Sequence, residues 1–487
     1  MLCANREFGL KKYNETEACG LPSVEELREK LNAASSSDAR RAISILFDDS
    51  TFVETAAYTK RAITDFLSTE KTNDFEGVIT GYGAINGKLV FAFVEDDTRM
   101  NGVIDERHAK KITDLYDMAI ENGAPVIAVF NSSGTDIFDG AVGLAAYGRI
   151  MAAVAKASGK IPQIAFVFGK CIGTSAAIAA MFDFVVKEKS SQFYVSSPLH
   201  TKSPHAQDSL LAYTEDENLS ATYIRSLISF LPDNSSVGTI VGECVDNLNR
   251  KLGELDFAGD AISAISNIAD NSVFFEVSRD FADSVSTVFA TIGGVRCGIV
   301  ANSFSKNSGR IDVSAARKIA KFVNFCDAYS IPVVTLVDSI GLEVNSDNDN
   351  ANFAAELAKV AFAYATSKSP KITVILGHAV GAAFVLLGSK ALGADLVYSV
   401  SNAEIGVLSA ESGVAFAWDK YITLENTREN LINEWKANVS SPAVAAASGE
   451  IDDIISINEL RARICSALLM LSYKGTAINP RRKVLPL

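Results

Sequence analysis

The sequence lacks the patterns that define several large functional classes. Acidic residues outnumber basic ones by 58 to 45, and the formal net charge is −13. This balance argues against a general nucleic-acid binder, because affinity for phosphates requires concentrated lysine and arginine. The sequence has no Walker A motif, no His-Glu-x-x-His, no Ser-His-Asp spacing and no Gly-x-Gly-x-x-Gly after a strand. Nucleotide-driven, zinc-protease and serine-hydrolase chemistry therefore have no support in the sequence.

Cysteine is scarce and scattered. The seven cysteines form no CxxC pair and no short Cys/His spacing, so the sequence predicts neither a zinc site nor a disulfide framework. We expect reduced thiols that are mostly buried, and we expect no bound metal. The cysteines are Cys3, Cys19, Cys171, Cys244, Cys297, Cys326 and Cys465.

The sequence also lacks a segment typical of membrane insertion. The first 20 residues carry charges where a signal peptide needs an apolar stretch. The longest uncharged run, 372–389, approaches transmembrane length, but His378 and three glycines interrupt it. We interpret this run as a buried strand followed by a buried helix, and we expect a cytoplasmic protein.

What the sequence does contain is an internal repeat. A chain of 487 residues exceeds a single ordinary core, so two domains are the starting expectation. Three pairs of segments match in the same order, the first two at an offset of 207 residues and the third at 208. This agreement predicts two diverged copies of one unit. The pairs are 85–96 with 292–303, 109–134 with 316–341, and 162–180 with 370–388.

Each copy has the pattern of an α/β unit. An edge hairpin precedes an amphipathic helix, and a continuous apolar strand follows (PVIAVF or PVVTLV), as in strands covered on both faces. A second buried strand then enters a glycine-containing turn and a small-residue helix. The alternation predicts parallel strands covered by helices. We predict a domain at 1–260, with a helical extension over 21–66 and a helical connector over 200–275, and a second domain at 261–487.

The two strand–glycine turns, Gly169–Thr174 and Gly377–Ala383, are the candidate functional feature. The first N–H groups of a helix lack intrahelical partners and lie at the positive end of its dipole. Small residues let a ligand oxygen approach these amides. Such a turn can form an oxyanion hole for an enolate or a ureido oxygen. Tight helix–strand packing is the alternative for either turn alone, and the presence of two matched copies favours function.

Four other polar residues keep two interpretations each. His378 can face a ligand, although a lone histidine beside an apolar run is more often a satisfied structural group. His108 lies in the basic segment ERHAKK, which suits an anion site or, as we favour, a solvated helix face. Asn131 and Asp338 end the paired strands, where each can face a cleft or cap a turn.

At these residues the sequence resembles the carboxyltransferase subunits of biotin-dependent acyl-CoA carboxylases. It is also similar to the related methylmalonyl-CoA and glutaconyl-CoA decarboxylase α-subunits. The resemblance runs from about Ala39 to Leu487, through stretches such as ITGYGAINGKLVFAF, GVIDERHAKK, SPKITVILGHAVGAAF and GADLVYSVSNAEIGVLSAESGV. It implies an α/β fold made of a tandem pair of crotonase-like domains.

The resemblance also implies an activity, the transfer of CO2 from carboxybiotin on a separate carrier protein to the α-carbon of an acyl-CoA. The amides of Gly173 and Thr174 are then expected to hold the thioester enolate. Those of Ala382 and Ala383 are expected to hold the ureido oxygen of biotin. Val385, after the second turn, suits a short or apolar acyl group. The positions expected to bind the cofactor are Gly341, Gly381 and Val385.

The resemblance further implies partner proteins. The sequence has no ATP-grasp-like region and no biotinyl Met-Lys-Met motif, so biotin carboxylase and biotin carboxyl carrier subunits are expected as separate chains. We expect a homo-oligomer, commonly a dimer-based hexamer in this family, or a hetero-oligomer with a paralogue.

Departures from the family pattern cluster in the first half. Gly173–Thr174 stands where the family has a Gly-Gly pair, Asp136 replaces an arginine, and the segment 196–213 is unrecognisable. The second half departs less, with Gly381–Ala382 for the second Gly-Gly pair and 340–342 for a Pro-Gly-Phe. Three hypotheses stay open: an active carboxyltransferase, a weakened paralogue acting as a structural or regulatory subunit beside an intact one, and a decarboxylase subunit.

Overall fold

The computed structural model describes residues 23–33, 37–60, 75–135, 139–196, 211–214, 216–252, 259–423 and 425–474. Their strands form two eight-stranded sheets, one in each half of the chain, and helices pack against both. The predicted α/β class and the duplication of one unit are confirmed. The predicted boundary at 260/261 stays a prediction.

The described part of the first half starts with two helices, and strands and helices follow. Its strands are β1 (Val53–Thr55), β2 (Val78–Ile85), β3 (Lys88–Glu95), β4 (Val126–Ser132), β5 (Gln163–Ile172), β6 (Phe184–Glu188), β7 (Gln192–Tyr194) and β8 (Leu211–Thr214). Its helices are α1 (Val24–Ala33), α2 (Asp38–Leu46), α3 (Glu106–Asn122), α4 (Gly140–Ala157), α5 (Thr174–Ala179) and α6 (Glu217–Phe230).

The first sheet has the strand order β1-β2-β3-β4-β5-β6-β8, and β7 pairs with the end of β5. Strands β2 and β3 form the predicted antiparallel hairpin, and β3 to β6 run parallel. The predicted position of this hairpin at the sheet edge is wrong, because β1 pairs outside β2. The extension over 21–66 is helical in α1 and α2 but includes strand β1, and residues 61–66 lie outside the described residues.

The second half repeats this plan. Its strands are β9 (Phe274–Val277), β10 (Val285–Ile292), β11 (Val295–Asn302), β12 (Val333–Ser339), β13 (Lys371–Val380), β14 (Leu396–Val400), β15 (Glu404–Gly406) and β16 (Asp453–Ile455). Its helices are α7 (Ala261–Ile268), α8 (Val313–Ala328), α9 (Ser346–Asn350), α10 (Phe353–Thr366), α11 (Ala382–Leu386), α12 (Ala410–Gly413), α13 (Arg428–Asn438), α14 (Pro442–Ala447) and α15 (Leu460–Leu471).

The second sheet has the order β16-β14-β13-β12-β11-β10-β9, with β15 on the end of β13. Each element of the first sheet from the hairpin onward thus has a counterpart in the second. Within the described residues of the connector over 200–275, the α-helices are α6 and α7. Residues 231–252 form no helix, strand β8 belongs to the first sheet and strand β9 to the second.

The repeat extends to the start of the long helices. Asp105 accepts hydrogen bonds from the backbone amides of Arg107 and His108 and so caps α3. Asp312, 207 positions later, accepts from the amide of Ala315 and caps α8. An aspartate at this position satisfies amides that the helix itself cannot pair. Both helices therefore begin at matched places and present matched faces to their sheets.

One hydrophobic cluster joins the halves, whereas two others are confined to one half each. In the shared cluster, the ring of Phe184 on β6 lies 4.8 Å from that of Phe325 on α8, centroid to centroid. Beside it, burial raises the pKa of Asp183 to about 6 and lowers the pKa of Lys321. The two copies therefore share apolar surface as well as a few buried ionisable groups.

The apolar run at 372–389 lies in β13 and α11, which confirms its interpretation as a strand and a helix. No helix among the described residues is long and apolar enough to cross a membrane. Five described cysteines are free thiols, four of them buried. Cys3 and Cys19 lie outside the described residues.

Candidate functional site

Both candidate turns are preceded by the same irregularity in the sheet. The pairing of β4 with β5 shifts register between Phe130 and Ser132, and the pairing of β12 with β13 shifts at the equivalent place. A side chain from the first strand of each pair fills the resulting bulge. In the first half, Asn131 Oδ1 accepts the backbone N–H of Lys170 at 3.1 Å. In the second half, Asp338 Oδ1 accepts the backbone N–H of His378 at 2.8 Å.

Glycine is required inside each bulge. A Cβ atom on Gly169 would lie 2.1 Å from Asn131 Oδ1, and one on Gly377 would lie 2.4 Å from Asp338 Oδ1. Both separations are far below van der Waals contact. The strand-end residues Asn131 and Asp338 therefore hold the bulges, which settles their two sequence-based interpretations in favour of backbone capping.

The first turn is formed by Gly173, with φ 61° and ψ −125°, and by the start of α5. The Gly173 amide donates to the carbonyl oxygen of Tyr194 at 2.9 Å, so it is engaged within the chain. Thr174 is the first residue of α5, no side chain of the described residues caps this helix, and its first amides have no intrahelical acceptor. The Thr174 side chain is exposed, whereas that of Ser175 is buried.

The second turn has nearly the same geometry. Gly381 has φ 58° and ψ −134°, its amide donates to the Gly406 carbonyl at 2.8 Å, and no side chain caps α11. The outward amides that match those of Ala382 and Ala383 are therefore those of Thr174 and Ser175. The Gly173–Thr174 pair that the resemblance implies stays a prediction, although the Gly173 amide of that pair already has an acceptor within the chain.

The remaining predicted site residues lie close to the second turn in the chain or in space. Gly341 follows β12 at φ 126°, and a Cβ atom on it would lie 3.6 Å from the carbonyl oxygen of Val380. Val385 lies on α11 and is 47% exposed, and Val407, whose carbonyl borders Gly381, is 85% exposed. The second turn is thus bordered by apolar side chains that contact little of the described chain.

The residues at the two bulges differ in chemistry. His378 forms a pair with Asp338, its Nδ1 lying 2.8 Å from Asp338 Oδ1, and its ring stacks on Phe304 with centroids 4.4 Å apart. The hydrogen bond to Asp338 raises the pKa of His378. The equivalent residue in the first half, Lys170, is exposed. His378 therefore has a hydrogen-bond partner within the second bulge, and its side chain is 32% exposed.

A group of buried polar side chains lies beneath the first turn. Glu95, at the end of β3, accepts the backbone N–H of Asn131 at 2.8 Å, and burial raises its pKa to about 8. Burial also raises the pKa values of Tyr147 and Cys171, and Glu95 adds to both shifts. The Ser175 hydroxyl has no partner among the described residues, although the Tyr147 hydroxyl approaches it. The second turn has Ala383 at the place of Ser175.

The favoured interpretation of His108 as part of a solvated helix face is wrong. His108 is fully buried, and its Nδ1 lies 3.7 Å from Glu76 Oε1. Lys111, one turn further, is also buried and donates to the Val78 carbonyl at 2.5 Å. Burial alone would raise the pKa of Glu76, but His108 and the Gly77 amide outweigh it and lower that pKa. The face of α3 that carries His108 and Lys111 therefore packs inward.

Two clefts of about 820 Å³ each lie away from both turns. One runs between α8 and α10 and is bordered by the loop after α4, and the other is next to β9 and β10. Neither includes a residue of the two turns. Within the described ranges, no group of histidine, cysteine, aspartate and glutamate could hold a metal ion.

The duplicated sheets and paired turns define a two-domain α/β fold of the crotonase-like carboxyltransferase type. The model of the carboxyl transferase domain family matches the chain twice, at residues 32–208 and 209–485. The chain therefore belongs to the carboxyl transferase domain family, which confirms the resemblance found in the sequence.

Individual relatives cover nearly the whole chain. It is 33% identical to the propionyl-CoA carboxylase beta chain of Cereibacter sphaeroides, over 91% of this chain and 92% of the relative. It is 32% identical to the methylmalonyl-CoA decarboxylase subunit alpha of Propionigenium modestum, over 93% and 94%. The crystal structure of transcarboxylase 12S with methylmalonyl-coenzyme A bound superposes with a TM-score of 0.86 at 30% identity, covering 96% of this chain and 98% of that one.

Sequence reasoning located both turns but missed the groups behind them. The buried Glu95 is absent from the predicted site, although it ends the predicted hairpin at the place where the second copy has Asn302. A carboxylate aligned with a carboxamide at a strand end was the available indication. The pairing of His378 with Asp338 was not predictable, because 40 residues separate them in the sequence.

Proposed function

We propose that the protein is the carboxyltransferase subunit of a biotin-dependent acyl-CoA carboxylase, transferring CO2 from carboxybiotin to the α-carbon of an acyl-CoA. The observation that carries the proposal is the pair of matched turns, each an uncapped helix start after a bulged strand, in a chain of the carboxyl transferase family. Carboxybiotin, presented by a separate carrier protein, supplies the activated CO2.

The first turn is proposed to act on the acyl-CoA. The biotin ring would take the α-proton in exchange for the CO2 that it gives up, and the amides of Thr174 and Ser175 are suited to stabilise the negative charge left on the thioester oxygen. Gly173 contributes its backbone conformation and its bond to Tyr194, which fix the direction of these amides. The main contribution of the chain is thus positioning and electrostatic stabilisation.

The second turn is proposed to act on biotin. The amides of Ala382 and Ala383 would hold the ureido oxygen of the biotin ring, and carboxybiotin bound there would supply the activated CO2. The small side chains of Gly381 and Ala382 leave the amides open to a ring. Gly341 and Val385 border the pocket, and the exposed apolar side chain of Val385 favours a short or apolar acyl group.

The proposed assembly has separate biotin carboxylase and biotin carboxyl carrier subunits and a dimer-based hexamer of this chain. The support is the likeness to transcarboxylase 12S, a structure described as a hexamer assembly. We further propose that the protein acts in the cytoplasm, where acyl-CoA and carrier proteins are both present.

The test is a transfer assay. Purified chain is mixed with a carrier carrying ¹⁴C-carboxybiotin and with acetyl-CoA, propionyl-CoA or butyryl-CoA, and label in the acyl-CoA fraction is measured. We expect transfer to at least one acyl-CoA. Absence of transfer to all three from folded chain would refute the catalytic proposal. The reverse assay, with labelled methylmalonyl-CoA and free carrier, shows whether decarboxylation is the favoured direction.

A second candidate is a weakened paralogue that supports an intact carboxyltransferase. The observation that favours it is the exposed, β-branched Thr174 at the first turn, where the thioester would approach. In that case the purified chain shows no transfer alone but forms a stable complex with the intact chain. Size-exclusion chromatography of the mixture, followed by the same transfer assay, distinguishes the two candidates.

A further inference from the structure

The carboxyl group of Glu95 has no part in the function proposed above, on which the following inference rests. Glu95 ends β3 and is 2% exposed, and its Oε2 accepts the backbone N–H of Asn131 at 2.8 Å. It forms no salt bridge with any residue of the described ranges. A carboxyl group in such surroundings stays protonated at neutral pH, because burial without a cation disfavours its charged form.

A short series of hydrogen bonds connects Glu95 to the first turn. The Asn131 amide that donates to Glu95 belongs to the residue whose Oδ1 accepts the Lys170 amide in the bulge. From Lys170 to Ile172, β5 pairs with β7, and the last residue of β7, Tyr194, accepts the Gly173 amide. Each step is a backbone or near-backbone contact, so a shift of Asn131 moves the strand that ends at the turn.

The groups facing Glu95 are titratable but mostly uncharged. Tyr147 on α4 and Cys171 on β5 both have raised pKa values, with burial as the main cause and Glu95 as a second one. Charged side chains on neighbouring elements are engaged elsewhere. Lys111 on α3 donates to the Val78 carbonyl, and Arg99 pairs with Asp96 at 3.5 Å.

We propose that Glu95 is a positioning residue for the first turn: as a buried, uncharged acid it holds the Asn131 amide, and so fixes the bulge that aims the amides of Thr174 and Ser175. Ionisation of Glu95 would add a buried negative charge beneath the site of the proposed enolate. Anion stabilisation at the first turn should therefore weaken in alkaline solution.

The second half provides an internal comparison. Asn302 ends β11 as Glu95 ends β3, and it does not titrate. Its Nδ2 donates to the Gly309 carbonyl at 3.1 Å, and its Oδ1 has no partner among the described residues. Behind the second turn there is thus no carboxyl group at this position and no hydrogen bond like the one between Glu95 and the Asn131 amide. The geometry of the second turn should therefore not depend on pH through Asn302.

Hydrogen exchange measured by mass spectrometry on the full chain tests the proposal. The peptides to follow cover 166–176 and 374–384, and exchange rates are normalised to an unstructured peptide at each pH. In the wild-type protein we expect protection of the first peptide to fall between pH 6 and pH 8 by up to about tenfold per pH unit, because opening releases the acid to ionise. The second peptide should show no such fall.

Two variants complete the experiment. Glu95→Gln keeps an acceptor for the Asn131 amide and should remove the pH-dependent fall. Glu95→Ala leaves that amide unpaired and should reduce protection of the first peptide about tenfold at pH 6, with the second peptide unchanged. The proposal is overturned if Glu95→Ala leaves the first peptide as in the wild-type protein, or if both peptides change equally.

Carboxyl transfer gives an independent readout that a purely structural role would not change. The pH profile of transfer to acyl-CoA should lose activity at a lower pH in the wild-type protein than in Glu95→Gln. Superimposable profiles would overturn the proposal. If the wild-type chain transfers no label at all, the proposed function fails, and the hydrogen-exchange result still decides the role of Glu95.

Discussion

The two turns share their backbone geometry but differ in the side chains that surround them. Both have a glycine at nearly the same φ and ψ. Its amide donates to the last carbonyl of a short strand, β7 in the first half and β15 in the second. Around the second turn the neighbours are Ala382, Ala383 and a His378–Asp338 pair, whereas the first has Thr174, Ser175 and a buried carboxyl group. The two copies thus share the backbone conformation of the turn and differ in the side chains around it.

This difference indicates which features the chemistry needs. Each turn combines a positive-φ glycine with an open helix start, and neither feature depends on the side chains that surround the turn. The lining decides what can approach the amides. The same backbone in both halves is therefore compatible with the two different anions that we propose, a thioester enolate in one half and a ureido oxygen in the other.

The largest expected effect comes from replacing the turn glycines. Gly173→Ala and Gly381→Ala each force a side chain into a region of φ and ψ that suits glycine, at a cost of about 1–3 kcal/mol. They should also misdirect the amides and reduce carboxyl transfer about 10²–10³-fold. Urea unfolding and the transfer assay measure the two effects.

If the first turn has lost its role, Gly173→Ala will destabilise the protein as much as Gly381→Ala but will lower transfer far less. A matched control is Gly159→Ala, a positive-φ glycine in the loop after α4 with open space around it. It should show the cost in stability without the large loss of transfer.

The second prediction uses the titration of Glu95. Its pKa in the folded protein is about 8, above the ordinary value of 4.5, so the folded state binds the proton more tightly than the unfolded one. Its contribution to stability is complete below pH 4.5 and is lost as the pH rises to about 8. Glu95→Gln should therefore stabilise the protein at pH 8 relative to pH 5, by roughly 3 kcal/mol.

Denaturant titrations at the two pH values measure this difference. Asn302→Asp tests the same effect in the second half, because it places a carboxyl group at the buried position equivalent to Glu95. It should acquire a pH dependence of the same sign. A Glu95→Gln variant whose stability relative to the wild-type protein is equal at pH 5 and pH 8 would contradict the prediction.

Sequence patterns were enough to predict both sheets and both turns, because apolar strands and the 207-residue offset are local or directly comparable features. They failed where the outcome depends on packing between distant segments. His108 follows a polar capping residue and precedes two lysines, which resembles an exposed helix face. In the fold its side chain packs inward beside Glu76, a contact that no local pattern contains.

The same reason explains why the site was only partly predictable. Gly173 belongs to the turn, as the sequence indicates, but its amide bonds to Tyr194, whose strand β7 is too short to recognise from alternation. For this reason we propose Thr174 and Ser175 as the donor pair of the first turn. A glutamate at the end of a strand is ordinarily solvated, and the burial of Glu95 depends on packing against segments that are distant in the sequence, such as β4 with Asn131.

The third prediction concerns the side chain at the first turn. Thr174→Gly removes the exposed β-branched side chain beside the amides and should raise kcat/KM for acyl-CoA by about tenfold if it hinders the thioester. The matched change in the second half, Ala382→Gly, removes one methyl group and should have an effect below about threefold. Steady-state transfer assays with varied acyl-CoA compare the two. Equal effects of both changes would contradict the idea that the first turn is the more obstructed one.

The smallest expected effect concerns the His378–Asp338 pair. The hydrogen bond to Asp338 raises the pKa of His378, so the pair stabilises the folded state below the ordinary histidine pKa of 6.5 and this contribution is lost as the pH rises through the folded value. Because the His378 side chain is about one-third exposed, the effect should be below about 1 kcal/mol.

Asp338→Asn keeps an acceptor for the His378 amide and should lower the histidine pKa, which an NMR titration of the ring protons can follow. Asn131→Asp, the equivalent substitution at the first bulge, is the control. The residue beside it is Lys170, so it should leave the His378 pKa unchanged. An unchanged His378 pKa in Asp338→Asn would contradict the prediction, because it would show that Asp338 does not set the protonation of His378.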